Sequence, residues 1–140
     1  MSRTTKMVAA ILIGGLCSGV LGGLTLATPA FLDTSSTPGF MGSSRDWVPV
    51  LFVFGAFFGV LHGVLTGSVI GAVNAHKGSA SLIGAAVALP VAAYLFLNTT
   101  YRDKEVRLIA TLCPFVGALT GLLVSIFLSL ISRKSGEPPS

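Results

Sequence analysis

Apolar residues fall into four long runs: Met7 to Leu32, Trp47 to Val73, Ala80 to Leu97 and Val106 to Ser132. Each is continuous and none alternates with a period of two. A helix needs about 20 such residues to cross a bilayer. The runs therefore predict four membrane-spanning helices. The stretches between them are polar. Asp33 to Asp46 is rich in Ser, Thr, Gly and Pro and reads as a loop; Asn74 to Ser79 is a tight link, and Asn98 to Glu105 is charged. So short a second link makes the second and third helices antiparallel neighbours. Asp46 is placed to cap the second helix, with Trp47 at headgroup level and Pro49 in its first turn. Pro29 marks a stopping point for the first helix, and Pro90 falls in the middle of the third.

Within these runs small residues recur every fourth position. The second carries Gly55, Gly59, Gly63, Gly67 and Gly71. On a helix they form one slowly winding stripe, about 24 Å long at 1.5 Å per residue. The first run has two overlapping stripes, Gly15, Gly19, Gly23 and Gly14, Ser18, Gly22. The third repeats Ala80, Gly84, Ala88, Ala92, and the fourth Gly117, Gly121, Ser125, Ser129. Lipid gives helices little hydrophobic reason to associate, so close backbone approach at small residues supplies the contact. The helix-packing positions expected from this reasoning are Gly15, Gly19, Gly23, Gly55, Gly59, Gly63, Gly67, Gly71, Gly117 and Gly121. Each four-residue step drifts about 40° around a helix, so the long stripe is expected to touch more than one neighbour.

Composition strengthens the membrane reading. The 140 residues are 52% hydrophobic and 10% charged, with mean hydropathy +0.86. Soluble domains carry about 25% charged residues. In lipid, backbone polar groups must be satisfied within helices or a closed barrel, and long runs select helices. The fold class is all-α: an integral membrane four-helix bundle forming one domain over 1–140. A faint echo links Leu12-Ile13-Gly14-Gly15 to Leu82-Ile83-Gly84-Ala85, and Gly55-Ala56 with Gly59 to Gly117-Ala118 with Gly121. It would make the bundle two tandem helical hairpins. Recurrence of small residues in any tight bundle explains so few matching letters more simply.

The net charge of +4 lies outside the apolar cores. Basic residues there report orientation, and no basic patch interleaved with aromatics points to nucleic acid. With both termini cytoplasmic, Arg3, Lys6, Lys77, Arg133 and Lys134 lie inside, against Arg45, Arg102, Lys104 and Arg107 outside. The first run also resembles a secretory signal at its start, but its length suits a retained helix. The location expected is a plasma or inner membrane, crossed several times.

Candidate chemistry is sparse. Cys17 and Cys113 read as small buried hydrophobes. His62 is the imidazole at membrane depth and needs a partner there. A hydrogen bond to a neighbouring helix is the leading role; axial ligation of a haem or a chlorophyll-type pigment is the cofactor alternative, and proton or substrate handling a third. No Asp or Glu interrupts any run, which argues against carboxylate-coupled transport, and no nucleophile–base pair, metal-ligand cluster or phosphate loop stands out. The function expected is a non-catalytic accessory subunit of a larger respiratory, photosynthetic or transport assembly. Its partners would be membrane lipids and other membrane subunits or copies of itself. A small oligomeric channel or carrier is the alternative, and a pigment or haem subunit using His62 the next.

Overall fold

The computed structural model describes residues 2–32, 44–73, 77–98 and 104–134. The connections at 33–43, 74–76 and 99–103, with His76 among them, and the tail at 135–140 lie outside the described residues. Four helices run in chain order: α1 (Arg3–Leu32), α2 (Val48–Val73), α3 (Lys77–Asn98) and α4 (Lys104–Lys134), with a 3-10 turn at Ser44–Trp47 leading into α2. All four are long and apolar enough to cross a membrane. The chain is a multi-pass membrane protein, helical throughout its described core.

α1 begins ahead of its apolar segment because its first turn is held by polar groups. Ser2 caps α1: its hydroxyl accepts the Thr5 N–H at 3.2 Å, and its carbonyl accepts the Lys6 N–H at 3.1 Å. Arg3 then donates from Nη2 to the Ala72 carbonyl at 3.0 Å, tying the start of α1 to the last turn of α2. A cation at a helix C-terminus also meets the negative end of its dipole. At the other end, the Arg107 guanidinium lies 5.4 Å from the centre of the Phe96 ring, joining α4 to α3. Pro29 does not end α1, which continues to Leu32.

The two hairpins are the units of packing. α1 lies along the whole of α2, and α3 along α4. The hairpins meet through α1 on α4, α2 on α4 and, less extensively, α2 on α3, while α1 and α3 do not touch within the described residues. The cross-section is thus a rhombus, with α2 and α4 on the short diagonal.

All five stripe glycines of α2 face α1, which corrects the expectation of several neighbours. A methyl group placed at Gly55 would fall on the Gly22 carbonyl, at Gly59 on Ser18, at Gly63 on Gly14 and at Gly67 on Ala10. At Gly71 it would come within 2.9 Å of the Met7 Cα. The 40° drift assumed a straight partner. Here the contacts on α1 step back from Gly22 through Ser18, Gly14 and Ala10 to Met7, keeping pace with the stripe. The helices wind about each other, and a period above 3.6 residues gives that winding a right hand. Cα–H groups so placed meet carbonyls across the seam, each contact worth about 0.5–1 kcal/mol.

The second hairpin repeats the first. Gly14 and Gly63 point at each other's carbonyls, and so do Gly84 and Gly117; Gly67 meets Ala10 as Gly121 meets Ala80. This pairing superposes Ala10-Ile11-Leu12-Ile13-Gly14 on Ala80-Ser81-Leu82-Ile83-Gly84, and Gly63-Val64-Leu65-Thr66-Gly67 on Gly117-Ala118-Leu119-Thr120-Gly121. The sequence echo between α1 and α3 has the right register. The echo between α2 and α4 does not: Gly63, not Gly55, corresponds to Gly117. A four-residue period makes several registers look alike, and only the partner helix separates them. The longer connection between α1 and α2 absorbs the remaining offset.

The core obeys the same repeat. Ala10 with Ala80, Ile70 with Val124 and Ile13 with Ile83 are equivalent pairs, and together with Leu128 they form the hydrophobic cluster where the hairpins meet. Thr66 and Thr120, also equivalent, are both fully buried. The two halves are parallel repeats about an axis along the bundle.

Candidate functional site at the hairpin junction

His62 is where the repeat breaks. The glycine stripe turns one face of α2 to α1, so the neighbouring column His62, Thr66, Ile70 points toward the second hairpin. Ile70 clusters with Ala80 and Val124. Gly63, having no side chain, lets the Ser18 Cβ lie against α2. From there the Ser18 hydroxyl reaches the Nδ1 of His62 at 2.9 Å. On its far side the ring makes a looser hydrogen-bonding contact with the Gly84 backbone of α3. One imidazole thus touches α1, α2 and α3. The second hairpin has Val116 in place of His62 and Ala88 in place of Ser18, so the polar pair belongs to one half only.

One polar atom at this junction, Thr66 Oγ1, is enclosed without a hydrogen-bond partner. Thr66 is unusual in this. Thr120, its twin, donates to the Val116 carbonyl four residues back at 2.9 Å, and Thr25 to Leu21 at 2.7 Å. Hydroxyls in helices ordinarily bond back in this way.

The geometry fits a tetrapyrrole poorly. Axial ligation needs an open nitrogen facing a slot for a flat ring. Nδ1 is engaged by Ser18, and Nε2 is enclosed between α2 and α3. Cys17 and Cys113 are both free thiols, on α1 and α4. Among the described residues no three His, Cys, Asp or Glu side chains gather closely enough to hold a metal ion.

The three expected packing positions of α1 differ in depth. A methyl group at Gly15 would meet only Val64 and Val60, at 3.7 and 3.9 Å, which is ordinary contact. At Gly19 it would come within 2.9 Å of the Val60 side chain, and at Gly23 within 2.9 Å of both the Phe52 ring and the Phe52 backbone oxygen. The carbonyls of the seam belong to Ala10, Gly14, Ser18 and Gly22, and the Cα atoms of Gly19 and Gly23 lie beside them, 3.0 and 2.9 Å from a methyl group placed at Gly59 and Gly55. Gly84 and Ala80 on α3 complete the second seam against Gly117 and Gly121. The doubled Gly-x-Leu-Thr-Gly was the available signal for Thr66 and for the register.

No protein-family model, curated protein or solved structure matches the chain.

Proposed function

We propose that this chain is a non-catalytic membrane subunit that works through its outer surface inside a larger membrane assembly. The observation that supports this is where the small residues go. Both seams are spent inside the chain, locking each hairpin backbone to backbone, while bulky side chains such as Leu16, Phe57, Phe58, Leu65, Leu82 and Phe115 turn outward. Bodies of this kind present a stiff apolar surface to lipid and to neighbouring subunits. In the same reading the protein sits in a plasma or inner membrane with both termini cytoplasmic, the side to which five of the nine basic residues fall. The test is extraction of the native membrane in mild detergent, followed by native mass spectrometry. A stoichiometric complex with other membrane proteins is expected. A species containing this chain and lipid alone would overturn the proposal.

A second reading, a small carrier, draws on a different observation. Parallel repeats with a polar pair at their junction are an arrangement that transporters use, and Ser18 and His62 supply such a pair. Solute flux into liposomes holding only this protein, lost in His62→Leu, would favour it over the subunit.

A further inference from the structure

We propose that the end of the bundle where α1 and α3 begin binds anionic phospholipids through the phosphates of their headgroups.

Charge along the chain is segregated. Ala10, Ile70, Ala80 and Val124 meet in one cluster, which puts the starts of α1 and α3 and the ends of α2 and α4 at the same end of the bundle. Five of the nine basic residues belong to that end: Arg3 and Lys6 in the opening turns of α1, Lys77 at the start of α3, and Arg133 and Lys134 at the close of α4. One acidic residue, Glu137, follows them in sequence. The other basic residues, Arg45, Arg102, Lys104 and Arg107, fall in sequence at the opposite helix ends, together with Asp33, Asp46, Asp103 and Glu105. Four cations there are matched by four carboxylates, so the whole net charge of +4 belongs to the first end.

Helix polarity sharpens the imbalance. A helix N-terminus favours acids and disfavours cations. α1 and α3 have no acidic residue in their first turns, and each starts on a cation instead, Arg3 and Lys77. Arg3 is exposed and meets the Ala72 carbonyl through Nη2; a guanidinium has five N–H donors, so others remain for a second acceptor. α4 packs against both α1 and α3, so its last residues, Arg133 and Lys134, fall between the two starts.

Depth selects the partner. Lys77 immediately precedes one span and Arg133 immediately follows another, while Arg3 and Lys6 lie in the opening turns of a third. Residues at the edge of a span sit at headgroup level, where lipid phosphates are the anions within reach. A soluble acidic partner would call for basic residues carried out beyond the membrane surface, and these flank the spans directly.

Electron spin resonance of the full chain in phosphatidylcholine bilayers, with spin-labelled phosphatidylglycerol or phosphatidylcholine as the probe, tests this. Each cation beside an anionic lipid is worth about fivefold in association. Averaged over both leaflets, wild type should hold phosphatidylglycerol about threefold more strongly than phosphatidylcholine at low salt, and the preference should vanish in about 1 M salt. The variant Lys6→Gln/Lys77→Gln/Arg133→Gln/Lys134→Gln, which leaves Arg3 on Ala72, should lose most of the preference. The charge-neutral exchange Lys104→Gln/Glu105→Gln at the other end should keep it. Should the first variant fail to fold, the wild-type salt dependence still decides. Equal retention of the two lipids by wild type at low salt would overturn the proposal, as would a preference that survives the four substitutions. Displacement of labelled phosphatidylglycerol by inorganic phosphate at constant ionic strength would overturn it too, by giving the face to a soluble anion.

Discussion

Alanine at Gly63 and alanine at Gly15 are the same chemical change on facing helices, and the structure assigns them opposite consequences. At Gly63 the new methyl group would fall on the Gly14 carbonyl and lie 2.8 Å from the Ser18 Cβ. Neither obstacle is the far end of a flexible chain, so α1 and α2 must part. A gap of about 0.5–1 Å forfeits a quarter to a half of each dispersion contact. The Cα–H contacts at Gly59, Gly63 and Gly67 loosen together, at about 0.5–1 kcal/mol each. Separation also stretches the bond from Ser18 to His62, a kind worth about 0.6 kcal/mol in membranes. The sum is a loss of about 2–4 kcal/mol. At Gly15 the methyl group enters open contact with Val60 and Val64. There the change is neutral or stabilising by up to about 1 kcal/mol, since alanine favours the helix. Reversible unfolding in bicelles, followed for both variants against wild type, measures the difference. Stabilities agreeing to within about 0.5 kcal/mol would refute the assignment of the seam to Gly14 and Gly63.

His62→Gln should cost no more than about 0.6 kcal/mol, because glutamine still donates and accepts. His62→Leu should cost about 1–3 kcal/mol by stranding Ser18 and crowding α3; equal unfolding midpoints for the two variants would contradict the role given to the ring. Arg3→Ala removes the donor to the Ala72 carbonyl, so amide exchange should accelerate in the first turn of α1 and the last turn of α2 while the middle of both helices is unchanged. Stability should fall by less than about 1 kcal/mol because the contact is exposed. Cysteines introduced at Ser43 and Thr100 should react with impermeant thiol reagents from outside intact cells; labelling only after the cells are opened would reverse the proposed orientation.

The helices were legible because lipid imposes a strict rule: four uninterrupted apolar runs leave helices as the way to satisfy the backbone. Their ends were less so, since Ser2 and Arg3 extend α1 through polar contacts that apolar patterning does not register. The glycines of α2 were visible as a stripe, but their partner was not. Drift on a single helix says nothing about a second helix winding with it. For the same reason the choice between Gly14 and Gly15 on α1 needed the facing carbonyls. His62 stood out because imidazole is rare at membrane depth. Ser18 did not, being one hydroxyl among several that could have bonded back to their own helix, and Thr66 looked like the others until its twin Thr120 gave a standard of comparison.

The central claim is that each hairpin is locked by reciprocal glycine contacts in one shared register. Carbon–carbon distances in bilayers test it directly, using protein labelled at glycine with a mixture of carbonyl-13C and Cα-13C. Short-range cross-peaks should join Gly14 to Gly63, Gly22 to Gly55 and Gly84 to Gly117. Cross-peaks from Gly55 or Gly63 to Gly84 or Gly117 instead, or none between α1 and α2, would contradict the account.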